Sequence, residues 1–162
     1  MSAILVNIKD RYIMSVCCFF GHCRIYTDIS KKVEKEIEDL ILNNNVKMFY
    51  VGNNGNFDMM VIKILEDMTT KYNINYNIVL AYLPIKQKEA YPYDISKTIY
   101  PEGIENTPKR FAISWRNKWM IDKSNYVISY VTHSYGGAYK HTEIAKRKGK
   151  QIINIADNML YE

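Results

Sequence analysis

The hydrophobic positions of this chain fall into five short apolar runs, which are separated by longer segments of helical periodicity. The runs occupy residues 14–20, 47–51, 77–83, 127–131 and 152–155. Continuous apolar runs of this length are typical of strands buried on both faces, as the strands of a parallel sheet are. The alternation of such strands with helices predicts an α/β fold.

The stretch from residue 126 to residue 155 predicts how these elements connect. Its first apolar run is followed by a polar turn at 132–137, a helical pattern over 138–148, Gly149 and a second apolar run. This is the length of one βαβ crossover, in which the two strands lie parallel and the connection is right-handed. Extended to the whole chain, the pattern predicts a Rossmann-like three-layer αβα sandwich with a mainly parallel five-stranded sheet in the order 3-2-1-4-5.

The other connections contain helices and one long irregular stretch. The first helix has an apolar stripe over 29–41, with Thr27 and Asp28 as candidate N-caps, and Asp58 is a candidate cap of the second helix. Residues 85–108 contain three prolines and three tyrosines with little periodicity. They predict either a functional lid whose tyrosines stack on a base or a sugar, or an ordered flap packed over the sheet edge.

The size and composition of the chain indicate one domain. It has 162 residues, of which 48% are hydrophobic, so it can build a real core. We expect residues 1–13 to form an N-terminal extension and residues 14–162 to form a single domain. No apolar run approaches the roughly 18 residues of a membrane span, and no secretory signal is evident, so we expect a cytoplasmic protein without a membrane partner.

The three cysteines, Cys17, Cys18 and Cys23, lie in one segment. Because Cys17 and Cys18 are adjacent in a predicted strand, they point to opposite faces of the sheet and are poor disulfide partners. We expect all three to be reduced thiols that act as buried small hydrophobic residues. His22 lies nearby, but its spacing fits no zinc pattern, so we expect no metal and no cofactor.

The formal net charge of +5 is compatible with nucleic acid or with small anionic ligands. The basic residues are scattered apart from Lys146, Arg147, Lys148 and Lys150, which stand at the end of a predicted helix. Cations at that end complement the helix dipole, so the cluster does not by itself indicate a nucleic-acid patch. We expect a small-molecule partner rather than nucleic acid, and the sequence is also compatible with a homo-oligomer.

Three loops that follow predicted strands carry glycine, and they predict an anion site at one edge of the sheet. The carboxyl ends of parallel strands meet at that edge, where open α/β sheets bind ligands. Glycine lets the backbone approach a ligand, and helix N-termini offer free N–H groups to a phosphate. The alternative is that these residues only form the turns. The candidate ligand-binding residues are Gly21, His22, Gly52, Asn53, Asn54, Gly55, Asp58, Thr132, Ser134, Gly136 and Gly137.

Several segments together resemble the SLOG superfamily. They are VCCFFGH at 16–22, Phe57-Asp58, RNKWMID at 116–122, Gly136-Gly137 and KGKQIIN at 148–154. The nearest branch is that of small bacterial and phage proteins of the DUF1273/YpsA-like type, and the resemblance covers nearly everything from residue 14 to residue 155. It implies a Rossmann-like fold that binds nucleotides or nucleotide-derived ligands. The superfamily includes the LOG phosphoribohydrolases, the DNA-processing protein DprA and antiphage sensor domains that bind ADP-ribose-type signals.

The resemblance to the LOG enzymes implies a catalytic pair. Their RKxxM segment has an arginine four residues before a methionine, as Arg116 stands before Met120 here. Their PGGxGTxxE motif has a glutamate seven residues after its first glycine, as Glu143 stands after Gly136 here. In this comparison the arginine holds a 5′-phosphate, and the glutamate stabilises the positive charge that builds on the ribose as the N-glycosidic bond breaks.

The chain also departs from the LOG pattern. Tyr135 replaces the proline before the two glycines, Tyr139 and Lys140 replace the second Gly-Thr pair, and Thr142, a further candidate ligand residue by this comparison, is displaced toward the glutamate. These departures favour binding over catalysis. The leading hypothesis is therefore a sensor or sequestering module for a nucleotide-type ligand. A LOG-like nucleotide N-glycoside hydrolase is the alternative, and a DprA-like binder of single-stranded DNA is weaker because no basic groove is evident.

Overall fold

The computed structural model of the chain describes residues 14–84 and 90–159, so the predicted extension at 1–13 lies outside the described residues. The strands are β1 (Ser15–Gly21), β2 (Val46–Val51), β3 (Asn75–Val79), β4 (Thr98–Ile99), β5 (Tyr126–Tyr130) and β6 (Gln151–Asn154). The α-helices are α1 (Ser30–Asn44), α2 (Asn56–Met68), α3 (Ala112–Lys123), α4 (Gly136–Arg147) and α5 (Ile155–Met159). Within the described ranges, none of the helices has the length and apolarity of a membrane span.

The strands form one parallel sheet in the order β4-β3-β2-β1-β5-β6. This confirms the predicted Rossmann-like α/β class, and β1, β2, β3, β5 and β6 are the five predicted strands in the predicted order. The predicted number of strands is wrong, because β4 adds a sixth strand at the edge beside β3. It is only two residues long. A strand this short has no alternation that a sequence pattern can reveal.

The stretch between β3 and α3 is an ordered flap wherever the structure describes it. Besides β4 it forms short 3-10 turns at Ile95–Lys97, Ile104–Asn106 and Lys109–Phe111. Residues 85–89 lie outside the described residues. Through β4 the described part extends the sheet edge, and the interpretation of 85–108 as a lid whose tyrosines stack on a ligand stays a prediction. The tyrosines of this stretch are considered with the second cleft below.

Helices cover both faces of the sheet. Strand β1 shows the division, because Cys17 and Phe19 pack in the core beneath α1 and α2, whereas Cys18 and Phe20 pack beneath α3 and α4. The prediction that Cys17 and Cys18 point to opposite faces is therefore confirmed. The expectation that all three cysteines are buried is wrong for Cys23, which is exposed beyond the end of β1.

Several predicted boundaries shift by a few residues. The helix predicted over 138–148 already begins at Gly136. The N-cap of α2 is Gly55, so the prediction of Asp58 as that cap is wrong; Asp58 lies in the first turn. At α1 the carboxylate of Asp28 accepts the backbone N–H of Ser30 at 3.0 Å, although the cap position itself is Ile29.

The carboxyl edge of the sheet brings the three glycine-bearing loops together. Gly21 ends β1, Gly52 follows β2 and Gly136 begins α4, so all three lie at one edge as predicted. The strand order reverses between β1 and β5, since β2, β3 and β4 extend to one side of β1 and β5 and β6 to the other. A reversal of this kind leaves a crevice between the two loops that follow the neighbouring strands.

Candidate functional site

The crevice at this reversal is a cleft of about 350 Å³, which we call the central cleft. Its walls come from the end of β1 and the loop after it, the loop after β2, helix α3, and the turn and first residues of α4. The lining residues are Phe19, Phe20, Gly21, His22, Cys23, Arg24, Gly52, Asn54, Asp58, Ile113, Arg116, Asn117, Met120, His133, Gly136, Gly137 and Ala138.

Two of the glycines around this cleft are required by close packing. A Cβ atom on Gly21 would lie 2.2 Å from Cγ of Phe57, which is closer than any real contact. Gly55 has a φ of +99°, and a Cβ atom there would lie 2.6 Å from the backbone of Cys23. The loop after β1 and the loop after β2 are thus packed backbone to backbone. Their positions fix the mouth of the central cleft.

Arg116 is the buried cation of the central cleft, with 2% of its surface exposed. Its Nη1 donates to the carbonyl oxygen of Val79 at 2.8 Å and lies 3.5 Å from Oδ1 of Asn53. Its Nε donates to Oδ1 of Asn117 at 2.8 Å. Nη2 has no partner among the described residues. Burial lowers the pKa of the guanidinium, but arginine keeps its charge at any physiological pH. The side chain therefore offers a fixed charge and free donors to an anion.

Asp58 is the buried carboxyl group of the same cleft. It accepts the backbone N–H of Asn54 at 2.9 Å. Its Oδ2 and Nη1 of Arg116 both lie 2.9 Å from the position of a Cβ atom on Gly52, so the missing side chain of Gly52 makes room for both. Burial raises the pKa of Asp58 to about 6, while the Asn54 N–H and the charge of Arg116 act to lower it. The group can therefore change protonation state close to neutral pH.

A column of three aromatic rings stands at the turn after β5, and two of them, His22 and His133, line the central cleft. The ring of His133 stacks on His22 at a centroid distance of 3.8 Å and on Tyr135 at 3.7 Å. The backbone N–H of Thr132 donates to Nε2 of His22 at 3.0 Å, so that nitrogen carries no proton. Burial, and then the charge of His133, lower the pKa of His22, which favours the neutral ring that this bond requires.

The first turn of α4 closes the remaining side of the cleft. Gly136 has a φ of +88°, and no side chain caps the helix at Tyr135. The first N–H groups of a helix have no partner within it and carry a partial positive charge. Because Gly136 and Gly137 line the central cleft, these N–H groups lie at its wall. His141, buried one turn further along, contacts the carbonyl oxygen of Gly137 through Nδ1 at 2.8 Å and supports this turn.

The structure brings together only some of the residues that the sequence predicted. Those that line the central cleft are Gly21, His22, Gly52, Asn54, Asp58, Arg116, Gly136 and Gly137. Asn53 and Gly55 line a second cleft on the other side of their loop. Four further predicted residues line a hollow between α4 and the ends of β5 and β6, which we call the outer groove: Thr132, Ser134, Thr142 and Glu143.

Glu143 and Arg116 therefore line different hollows. The carboxylate of Glu143 pairs with Nζ of Lys146 at 3.0 Å within α4. Thr142 is buried, and its hydroxyl donates to the carbonyl oxygen of Ala138 at 2.8 Å. The two hollows share His133, so the arginine and the carboxylate of the LOG comparison lie in different hollows that adjoin at this residue.

Several residues of the central cleft were not among the predicted site residues. Cys23 and Arg24 follow β1, and Ile113 comes from α3, as do Asn117 and Met120, which belong to the RNKWMID segment but were given no binding role. The helical positions could have been found, because together with Arg116 they repeat at the spacing of one helix face. The direction of that face was not evident from the sequence, since α3 carries aromatic and apolar residues on more than one side.

Comparison with known proteins supports the fold and leaves the family open. No family model and no curated protein matches the chain. The structure is similar to that of DNA processing protein A (DprA) from Streptococcus pneumoniae, with a TM-score of 0.63 and 16% sequence identity. The similarity covers 86% of this chain and 49% of that protein, so the chain spans about half its length. At this identity the likeness shows a shared Rossmann-like fold.

Proposed function

We propose that the chain binds a nucleotide or a nucleotide-derived ligand of the ADP-ribose type in the central cleft, as a sensor or a sequestering module. The observation that carries this proposal is the buried guanidinium of Arg116, whose Nη2 has no partner among the described residues. Nη2 is not one of the buried unpartnered atoms of the described residues, so it is reachable from the cleft and available to an anion that enters it. A phosphate is a fitting partner, since guanidinium groups bind its oxygens in bidentate fashion.

The surroundings of Arg116 support a phosphate rather than another anion. The N-terminus of α4 faces the same cleft through Gly136 and Gly137, and Arg24 adds a second cation at the mouth. Helix N-termini and arginines are the usual donors to phosphate. Asp58 is protonated below its pKa of about 6, and in that form it can donate a hydrogen bond to a ligand oxygen.

We propose ligand binding rather than LOG-type hydrolysis as the function of the central cleft. In that hydrolysis the carboxylate has to reach the ribose while the arginine holds the phosphate. Glu143 faces the outer groove and pairs with Lys146, whereas Arg116 faces the central cleft. We accordingly expect binding without release of free base.

We also infer that the chain is a divergent member of the SLOG superfamily, of the DUF1273/YpsA-like branch. Two observations support this inference. The first is the similarity of the fold to DprA. The second is that Gly21, Asp58, Arg116 and Gly136, which carry the resemblance, all line one cleft. Since DprA is a DNA processing protein, single-stranded DNA is a third ligand class to test beside nucleotides.

The Arg116→Gln substitution is expected to weaken the binding of adenosine 5′-monophosphate at least about tenfold. Hydrogen bonds to charged groups are worth about 1.5–3 kcal/mol, and tenfold corresponds to about 1.4 kcal/mol. Lys118→Gln is the matched control, because it removes the same charge from an exposed position of α3. We expect it to change the dissociation constant less than about twofold. Isothermal titration calorimetry measures both.

Titrations with nucleotides, ADP-ribose and a thymidine oligonucleotide, together with an assay of base release, separate the three function classes. Equal losses of nucleotide affinity in Arg116→Gln and Lys118→Gln would contradict a specific role for Arg116. A wild-type protein that binds none of these nucleotide-type ligands would contradict the proposed function. Release of free base by the wild type, abolished in Glu143→Gln, would establish the hydrolase instead. Tight binding of a thymidine oligonucleotide in place of the nucleotide would establish the DNA-binding alternative.

A further inference from the structure

A second cleft of about 570 Å³ lies beside the flap between β3 and α3. We call it the aromatic cleft. The residues that define it here are Asn53, Met59, Leu80, Tyr82, Tyr91 and Tyr93. No charged side chain belongs to its lining among the described residues. In this it differs from the central cleft, which contains Arg24, Asp58 and Arg116.

The two clefts share the loop that follows β2. Gly52 and Asn54 line the central cleft, whereas Asn53 and Gly55 line the aromatic cleft. Residues that alternate along this one loop therefore contribute to both clefts. The side chain of Asn53 connects them, because its Oδ1 lies 3.5 Å from Nη1 of Arg116 and its Nδ2 donates to the hydroxyl of Tyr93 at 3.3 Å.

The aromatic cleft has the surfaces that a planar, uncharged ring requires. The rings of Tyr91 and Tyr93 lie 5.9 Å apart at an angle of 35°. Tyr82 keeps 47% of its surface exposed, and its hydroxyl donates to the carbonyl oxygen of Lys109 at 2.9 Å, which fixes the ring. Any of the bases can stack on such aromatic side chains, because every base has a π face.

We propose that the aromatic cleft binds the nucleobase of a nucleotide whose phosphate is held at Arg116 in the central cleft. This inference rests on the proposed function. In this arrangement the ligand is a nucleoside phosphate that lies across the loop of residues 52–55. The base stacks against Tyr93 and its neighbours, and the charged end pairs with Arg116 and the first turn of α4. A sugar phosphate without a base would occupy the central cleft alone.

The test compares adenosine 5′-monophosphate with ribose 5-phosphate in calorimetric titrations of three variants. Tyr93→Leu removes the ring but keeps apolar volume, and we expect it to weaken the nucleotide about fivefold or more while leaving ribose 5-phosphate unchanged. Tyr93→Phe keeps the ring, and we expect it to bind both like the wild type. Tyr26→Leu is the control, since Tyr26 is 91% exposed and lines neither cleft.

The outcomes separate this inference from the proposed function. If the wild type binds both ligands equally well and Tyr93→Leu affects neither, the inference is overturned and the phosphate site stands. Equal losses of affinity for both ligands in Tyr93→Leu, or a loss in Tyr93→Phe as large as in Tyr93→Leu, also overturn it. Tyr93 would then act through the hydrogen bond between its hydroxyl and Asn53 and not by stacking on a base. A wild type that binds neither ligand overturns the proposed function itself.

Discussion

Replacement of Gly55 with alanine is expected to lower the free energy of unfolding by about 3 kcal/mol or more. The backbone of Gly55 has a φ of +99°, which an L-residue adopts only under strain. The added Cβ atom would also lie 2.6 Å from Cα and from the carbonyl oxygen of Cys23. Strained backbone and overpacking each cost about 1–3 kcal/mol. The neighbour is backbone rather than a flexible side chain, so it cannot rotate away.

Urea unfolding of Gly55→Ala beside Gly137→Ala measures this effect. Gly137 is the matched control, since it lies in the first turn of α4 and a Cβ atom there meets no heavy atom within 4 Å. Alanine in a helix is favoured over glycine by roughly 0.5–1 kcal/mol, so the control should be unchanged or slightly stabilised. A loss below about 1 kcal/mol in Gly55→Ala would show that the loops after β1 and β2 are not packed as described.

The Asp58→Asn substitution is expected to stabilise the protein at pH 8 but not at pH 4. Burial raises the pKa of the Asp58 carboxyl from 3.8 to about 6, so folding favours its protonated form. The stability that the protonated carboxyl contributes is fully present below pH 4 and is lost as the pH rises through 6. The shift corresponds to about 3 kcal/mol. Asparagine does not titrate and can still accept the Asn54 N–H, so the variant does not lose stability as the pH rises.

The measurement is the unfolding free energy of both proteins between pH 4 and pH 8. The difference between them should grow from about pH 4 and level off above about pH 6, because the folded and unfolded proteins bind different numbers of protons only between these two pKa values. Asp28→Asn is the control, because hydrogen bonds from Ser30 lower the pKa of Asp28 below its usual value of 3.8. The stability that Asp28 contributes is lost only below that pH, so the difference between the wild type and this variant should stay nearly constant between pH 4 and pH 8. A pH-independent difference for Asp58→Asn would mean that the carboxyl is ionised in the folded state throughout this range.

The local pattern of the sequence determined the architecture of the sheet. Five strands, their parallel order and the common edge of Gly21, Gly52 and Gly136 all follow from short apolar runs that alternate with helical segments. This information is local, since strands and helices repeat over a few residues, and the handedness of crossovers then limits how they assemble. Strand β4 was not predicted, because a two-residue strand is defined by its pairing with β3 and has no repeat of its own.

The glycine-bearing loops of the candidate site were also evident from the sequence, but the direction of each side chain was not. Only the folded chain places Asn53 and Asn54, adjacent in sequence, on two different clefts. It likewise places Glu143 on the outer groove while Arg116 lies buried in the central cleft. It also buries Asp58, which by sequence was a helix cap, and so moves its pKa toward neutrality. Burial and distance depend on packing between segments far apart in the chain, and no local pattern of residues specifies them.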